Sequence, residues 1–124
     1  MNAVGIDVSK GKSTVAVLRP FGEVVASPFD VLHNDNDLKR LVKLIRSLPG
    51  ESKVVMEYTG TYFEPIAQFL HNNGIFVSVV NALLVHDYGG NSLRKVKTDK
   101  KDALKLASYA LDRWTELDEY VPAD

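Results

Sequence analysis

The sequence predicts an α/β fold in which a mixed five-stranded sheet carries helices on both faces. The amino-terminal part of this 124-residue chain contains three short strand-like segments joined by tight turns. The remainder alternates helical and strand patterns, which is typical of β-α-β crossovers. Hydrophobic residues make up 45% and charged residues 25%, the balance of a soluble globular protein with one sizeable core.

The first three strands are expected to form an antiparallel meander. Residues 3–9 (AVGIDVS) alternate, with one row of apolar side chains and a second row that contains Asp7. Residues 13–19 (STVAVLR) and 23–29 (EVVASPF) follow after the turns SKGK and RPFG. Strands joined by such short turns pair with their neighbours in opposite directions.

Helical and strand patterns then alternate. Residues 34–50 predict a helix with an Asn or Asp cap and a Pro-Gly stop, and residues 53–58 (KVVMEY) predict a fourth strand that carries Glu57 near its end. Residues 61–74 predict a second helix that opens with a capping box of Thr61 and Glu64 and ends at Gly74. Residues 75–80 (IFVSVV) predict the fifth strand.

The carboxyl-terminal part completes the order β-β-β-α-β-α-β-α-α. Residues 81–88 predict a short helix, residues 89–97 a loop, and residues 98–114 the final helix. Strands four and five are each reached through a helix, so right-handed crossovers should make them parallel to a neighbour. A meander followed by such crossovers is the ribonuclease H-like architecture, and residues 1–124 are expected to form one domain.

Several classes of protein are disfavoured by composition. The chain has no cysteine, which excludes disulfides, thiolate metal ligands and cysteine nucleophiles. No apolar run approaches the roughly 18 residues of a membrane span, and the amino terminus does not have the pattern of a signal peptide. We therefore expect a cytoplasmic protein with no membrane partner.

Two acids occupy unusual positions in predicted strands. Asp7 lies within an apolar strand, and burial of an unpartnered carboxylate is costly, so its site must supply a cation or several donors. Glu57 follows the apolar run KVVM, and functional groups gather at the carboxyl ends of such strands. The alternatives are a structural aspartate bonded to backbone N–H groups and a glutamate that is simply solvated.

Asp99 and Asp102 open the final helix. Either could serve as a helix cap or complement the helix dipole. At about 100° per residue, however, both project to the same side as the apolar residues Ala103 and Leu106, while Lys101 and Lys105 project away. Residues three apart are neighbours on a helix surface, so the two carboxylates can converge on one point.

Together these four acids suggest a divalent metal site. Neighbouring carboxylates repel unless a cation lies between them, and Mg²⁺ (or Mn²⁺) prefers such hard oxygen ligands. Two ions about 4 Å apart can activate the attacking oxygen and stabilise the leaving oxygen in phosphodiester chemistry.

A basic segment immediately precedes and overlaps these aspartates. Residues 94–105 (RKVKTDKKDALK) carry a local charge of +4, so the other 112 residues sum to −5. Such asymmetry suggests an anionic partner, although a solvated basic loop is the simpler alternative.

Other candidates are weaker. The three histidines are distant from each other in sequence and show no metal-ligand spacing, and GGNS lacks the Lys-Ser/Thr of a P-loop. Tyr58, Tyr62 and Phe63 could stack on bases, but we expect them to pack in the protein, and Trp114 is expected in the core.

Three motifs together resemble a known family. GIDVSKGK, VVMEYTGTYFEPIAQFL and KVKTDKKDALKLASYA are similar to the amino-terminal domain of the DEDD transposases of the insertion-sequence "one-ten" group. Relatives of that group include the Piv DNA invertases and the bridge-RNA-guided recombinases. The resemblance extends over nearly the whole chain, and E-x-TG-x-Y followed by KTD-x-x-DA is its specific part.

The resemblance implies a RuvC-like fold and a role in transposition or recombination of a mobile element. It implies that Asp7, Glu57, Asp99 and Asp102 are catalytic metal ligands beside DNA. It further implies a homo-oligomer, a structured guide RNA, and a second domain with a nucleophilic serine. That domain is not in this chain, which is expected to be inactive alone in complete strand transfer. Residues expected to contact phosphates are Lys10, Arg94, Lys95, Lys97, Lys100 and Lys101.

Two other functions stay open from the sequence. GIDVSKGKSTVAV is similar to the first phosphate hairpin of actin-like and sugar-kinase ATPases, although Val8 and Ser9 stand where those folds usually have Gly-Thr or Gly-Ser. That hypothesis does not explain KTDKKDA. The other alternative is a non-catalytic nucleic-acid-binding or protein-binding module with an inert acidic cluster.

Overall fold

The structure, a computed structural model, describes residues 1–86 and 98–123. Two short 3-10 turns, Pro20–Gly22 and Trp114–Glu116, accompany the strands and helices. The strands and α-helices in chain order are β1 (Asn2–Ser9), β2 (Lys12–Arg19), β3 (Glu23–Leu32), α1 (Asp35–Ser47), β4 (Ser52–Glu57), α2 (Glu64–Asn72), β5 (Phe76–Val80), α3 (Ala82–His86) and α4 (Asp99–Asp112).

The five strands form one mixed sheet in the order β3-β2-β1-β4-β5. β1, β2 and β3 pair in antiparallel directions, whereas β4 runs parallel to β1 and β5 runs parallel to β4. This arrangement confirms the predicted meander followed by crossovers. β1 and β4 are inner strands, so residues at their carboxyl ends lie near the middle of one edge of the sheet.

Each face of the sheet is covered by a separate apolar layer. Val4, Ile6 and Met56 pack with the apolar sides of α1 and α2 on one face. On the other face, Val55 packs with Leu106 and Ala107 of α4. Side chains alternate between the faces of a strand, so Asp7 and Glu57 belong to the α4 face.

The observed helix ends agree with the sequence predictions for α1 but not for α2. Asn34 caps α1 as expected, and its side-chain oxygen accepts a hydrogen bond from the Asp37 backbone N–H at 2.8 Å. The Thr61–Glu64 capping box is wrong, because α2 begins at Glu64 after Phe63, which makes no side-chain cap. Residues 60–63 form turns instead, and the backbone carbonyl of Thr61 accepts from the Glu64 N–H at 3.2 Å.

The segment after α4 returns to the outer side of β5. The Tyr120 backbone N–H donates to the Val77 carbonyl at 2.6 Å. The Tyr120 ring makes edge contacts with Phe63 and His71, with centroid separations of 6.1 and 6.2 Å. Trp114 is buried in the α4 layer, as predicted. No helix among the described residues is long and apolar enough to span a membrane.

Candidate metal and nucleic-acid site

Asp7 and Glu57 lie side by side on the two inner strands. Ile6 pairs with Met56 in the parallel ladder between β1 and β4, so each acid occupies the next position along its strand. Adjacent strands are about 4.8 Å apart, and both acids are on the face that α4 covers. The sheet thus brings together two carboxylates that are 50 positions apart in sequence.

Gly5 allows α4 to lie directly against β1. A Cβ atom at this position would overlap the Ala103 carbonyl oxygen and would be 2.5 Å from the Ala107 backbone nitrogen. Real Cβ atoms do not approach backbone atoms so closely, so only glycine permits this packing. The side chain of Asp7, two residues further on, points to the same side and therefore meets the first turns of α4.

Thr98, and neither aspartate, caps α4. The Thr98 hydroxyl accepts a hydrogen bond from the Lys101 backbone N–H at 3.1 Å, and Asp99 is the first helical residue. The suggestion that one of the two aspartates is the cap is therefore wrong. Asp102 is half-buried and Asp99 is exposed. Since Thr98 caps the helix, the aspartates are available for another role, while both still complement the positive end of the helix.

The carboxyl groups meet at Asp7. The pKa of Asp7 is raised to about 7, mainly by burial and in addition by a hydrogen bond with the Asp99 side chain and by the charges of Asp102, Asp99 and Glu57. Each of these effects disfavours an ionised carboxylate. The other three predicted acids therefore act electrostatically on the half-buried carboxyl group of Asp7.

The four acids have the chemistry of ligands for a hard divalent cation, but the described side chains are not arranged as a coordination site. Among residues 1–86 and 98–123, no group of three or more Asp, Glu or His side chains is arranged to hold an ion as it stands. Instead, Asp7 and Asp99 are joined by a hydrogen bond. The Thr59 hydroxyl is also buried, without a hydrogen-bond partner in the part of the chain that the structure describes. Once they are deprotonated, carboxylate oxygens are the hard ligands that Mg²⁺ or Mn²⁺ prefers.

A polar row that the sequence did not reveal extends from Asp7 across the sheet. Asp7 pairs with Thr14 on β2, which pairs with Asp30 on β3. The Thr14 hydroxyl donates to Asp30 at 3.1 Å, and Lys12 lies 3.8 Å from the same carboxylate. Only the register of the meander could have identified this row, because the three positions are separated by seven and sixteen residues.

Only three of the six residues predicted to contact phosphates lie in the described part of the chain. Lys10, Lys100 and Lys101 are exposed, the last two in the first turn of α4. Arg94, Lys95 and Lys97 lie outside the described residues. Two cations therefore stand on the same helical turn as Asp99 and Asp102.

The aromatic residues after β4 differ from expectation. Tyr58 is 63% exposed and Tyr62 is 48% exposed, so the prediction that they pack in the interior is wrong. Phe63 is buried, as predicted. Glycine and turn conformations at residues 60–63 carry the chain away from the sheet before α2 begins, which leaves the two tyrosines at the surface.

Comparison with known proteins identifies the family. Residues 4–124 match the model of a family described as transposase, the DEDD type of the insertion-sequence one-ten group. The chain belongs to this transposase family. Two relatives are pilin gene-inverting proteins, from Moraxella bovis (41% identical over 56 residues) and Moraxella lacunata (39% over 56 residues). Each match covers 45% of this chain and 17% of the relative.

Solved structures establish the fold of this transposase-family chain. It is similar to Thermus thermophilus RuvC in complex with a Holliday junction substrate, with a TM-score of 0.62 at 13% identity, over 94% of this chain and 96% of that one. A second Thermus thermophilus RuvC structure gives a TM-score of 0.61 at 14% identity, over 97% and 100% of the two chains. The predicted ribonuclease H-like, RuvC-like fold is confirmed.

Proposed function

We propose that the chain is the metal-binding domain of a DNA transposase or site-specific recombinase that cleaves and exchanges strands of a mobile element. The observation that carries the proposal is geometric: Asp7 and Glu57 occupy neighbouring positions on β1 and β4, and the close approach of α4 to Gly5 brings its first turn, with Asp99 and Asp102, to the same edge of the sheet. Membership of the transposase family and the RuvC-like fold support it. A divalent cation would offset the repulsion between the half-buried Asp7 carboxylate and the three neighbouring acids.

Asp7, Glu57, Asp99 and Asp102 would hold one or two Mg²⁺ or Mn²⁺ ions. When bound, such ions supply charge stabilisation for the attacking and leaving oxygens of a phosphodiester. Asp7 must release its proton before it can bind an ion, and the hydrogen bond with Asp99 must open. Gly5 keeps α4 close enough for its first turn to contribute both aspartates.

The cations around the acids would orient the nucleic acid. Lys100 and Lys101 project from the turn that carries the aspartates, and Lys10 follows β1, so phosphates bound by them lie beside the carboxylates. Arg94, Lys95 and Lys97 are proposed to extend this surface. We further propose a structured guide RNA, a homo-oligomeric full-length protein, a cytoplasmic location, and a second, serine-bearing domain that completes strand transfer.

Metal-dependent stability tests the proposal. Thermal unfolding is measured in chelator and with Mg²⁺ or Mn²⁺ at millimolar concentrations. The wild type is expected to gain several degrees in Tm, and Asp7→Asn combined with Asp102→Asn should abolish the gain. Asp118→Asn, at an exposed site after α4, is the matched control and should keep it. A wild-type melting curve that is unchanged by either metal would contradict the metal site.

Ligand preference separates the competing functions. Binding to branched DNA is compared with ATP binding by calorimetry, using the same preparation. Tighter binding to branched DNA, with metal, supports the recombinase domain. ATP binding without DNA binding would favour the ATPase hypothesis. DNA binding that is unaffected by metal and by the two Asp→Asn substitutions would favour a non-catalytic module.

A further inference from the structure

Tyr58 is an exposed aromatic side chain in a fixed position. Its backbone N–H donates to the Val80 carbonyl at 2.9 Å, which extends the ladder between β4 and β5 by one residue. Its ring lies 5.1 Å from the ring of buried Phe63 at an angle of 44°. The side chain is nevertheless 63% exposed. The exposed face of this ring is available to stack against a planar group, and its burial by such a ligand would be favourable.

A cavity of about 340 Å³ adjoins this ring. Tyr58, Val79, Val80, Asn81 and Ala82 line it, at the carboxyl ends of β4 and β5. Its volume lies within the range of about 300–1,000 Å³ that is typical of small-molecule sites. Asn81 accepts a hydrogen bond from the Leu83 backbone N–H at 2.8 Å through its side-chain oxygen, which leaves its amide NH₂ group as a donor for a ligand.

The position of the cavity indicates the ligand. Tyr58 directly follows Glu57, and the alternation of side chains directs the two to opposite faces of the sheet at the same edge. A nucleic-acid strand that crosses this edge of the sheet would pass the carboxylates on one side and the Tyr58 ring on the other. No acidic side chain lines the cavity, and its apolar wall with one amide donor suits a planar base with a carbonyl or ring nitrogen.

We propose that Tyr58 and the adjoining cavity bind one unpaired nucleobase of the nucleic acid on which the carboxylates act. The base stacks on the Tyr58 ring, and Asn81 donates a hydrogen bond to its edge. This inference rests on the proposed function and deepens it, since it assigns to the domain a preference for DNA with an unpaired base near the reactive phosphate.

The test uses 2-aminopurine, whose fluorescence is quenched by stacking. The probe is placed at an unpaired position of a DNA hairpin with a bulge, and in the same strand when fully paired. The wild type is expected to quench the unpaired probe and to bind the bulged DNA more tightly. Tyr58→Ala and Tyr58→Leu should reduce that preference by about 5-fold to 100-fold, as for the loss of one base–aromatic contact. Tyr58→Phe should retain it.

Phe21 provides a matched control. It is a fully exposed aromatic residue between β2 and β3, at the opposite edge of the sheet from Tyr58. Phe21→Ala should leave quenching and affinity unchanged. The salt dependence of binding should also stay the same in Tyr58→Ala, because stacking releases no counterions.

The outcomes separate this inference from the proposed function. If the wild type binds bulged and paired DNA equally, or if Tyr58→Ala behaves like the wild type, the inference that Tyr58 binds a base would be overturned. The proposal that the domain binds DNA would be unaffected. Binding of neither DNA would overturn both. A Tyr58→Ala variant that changes only the oligomeric state, measured by light scattering, would show that the ring meets a protein surface and would also overturn the inference.

Discussion

The backbone of Gly5 on β1 lies so close to Ala107 on α4 that a Cβ atom at residue 5 would be 2.5 Å from the Ala107 nitrogen. The atoms that it would meet are backbone atoms, so no truncation of a helix side chain can make room. This contact fixes the separation of α4 from the sheet, and hence the distance of Asp99 and Asp102 from Asp7.

We expect Gly5→Ala to destabilise the fold and to separate the acids. Overpacking of this kind costs about 1–3 kcal/mol, and relief of the overlap requires α4 to move outward. Chemical denaturation measures the loss of stability, and the metal-dependent rise in Tm should shrink in parallel. Gly11→Ala is a useful control, because a Cβ there meets no atom within 4 Å and only the positive φ of 77° is strained. A Gly5→Ala variant with unchanged stability and metal response would contradict the close packing of α4.

Stability without metal should fall as pH rises from about 4 to about 7. The folded-state pKa of Asp7 is raised from 3.8 to about 7, so the folded chain holds a proton that the unfolded chain has already lost. The Asp7 contribution is most favourable below pH 4 and declines until the folded group has ionised. Asp7→Asn removes this penalty. In chelator, its Tm relative to wild type should therefore be higher at pH 8 than at pH 4. A difference that does not vary with pH would show that Asp7 is not the group responsible.

Metal binding should release a proton at mildly acidic pH. At pH 6 the Asp7 carboxyl is mostly protonated, and an ion can bind only after the proton leaves. Calorimetry in two buffers with different ionisation enthalpies should detect about one proton per binding event at pH 6 and none at pH 8.5. Below pH 7 the apparent affinity should fall by about tenfold per pH unit. Binding enthalpies that are the same in both buffers at pH 6 would exclude a protonated ligand.

Thr59→Val tests whether the Thr59 hydroxyl serves a ligand or makes a hydrogen bond within the protein. The Thr59 hydroxyl is buried and has no partner among the described residues, and valine preserves the shape of the side chain. We expect metal-free stability to stay within about 1 kcal/mol of wild type or to rise, since no hydrogen bond to a described residue is lost. If the hydroxyl serves a ligand at the acids, metal or DNA affinity should decrease. Stability that falls by several kcal/mol would instead reveal an internal hydrogen bond.

Lys100 and Lys101 should contribute to DNA affinity mainly at low salt. Replacement of both by alanine removes two phosphate contacts, which should lower the slope of log K against log salt by about 0.9 for each contact with duplex DNA. Lys39→Ala with Lys43→Ala is the matched control, because these exposed lysines lie on α1, across the sheet from the acids. Equal slopes in wild type and Lys100/Lys101 variants would assign the α4 lysines to solubility.

Local patterns in the sequence were sufficient for the fold but only partly for the site. The strand order follows from short turns and crossovers. The helical projection placed Asp99 and Asp102 on the side of Ala103 and Leu106, which are buried, and of the two acids Asp102 is half-buried while Asp99 is exposed. The cap at Thr98 was obscured because aspartate is an equally good capping residue. The row formed by Thr14 and Asp30 depends on register, and the exposure of Tyr58 depends on the path of the turns after β4. Such nonlocal relationships have no periodic signature in one sequence.

Phe63 contacts two other aromatic rings. The Tyr58 ring, which follows the acid-bearing end of β4, is tilted against it, and the Tyr120 ring, from the segment that returns along β5, contacts it edge-on. A displacement of residues 118–121 would alter the packing around Phe63 and, through it, the orientation of the Tyr58 ring. Because these three rings pack in series, with interplanar angles of 44° and 86°, the position of the chain beyond α4 is coupled to the surface next to the carboxylates.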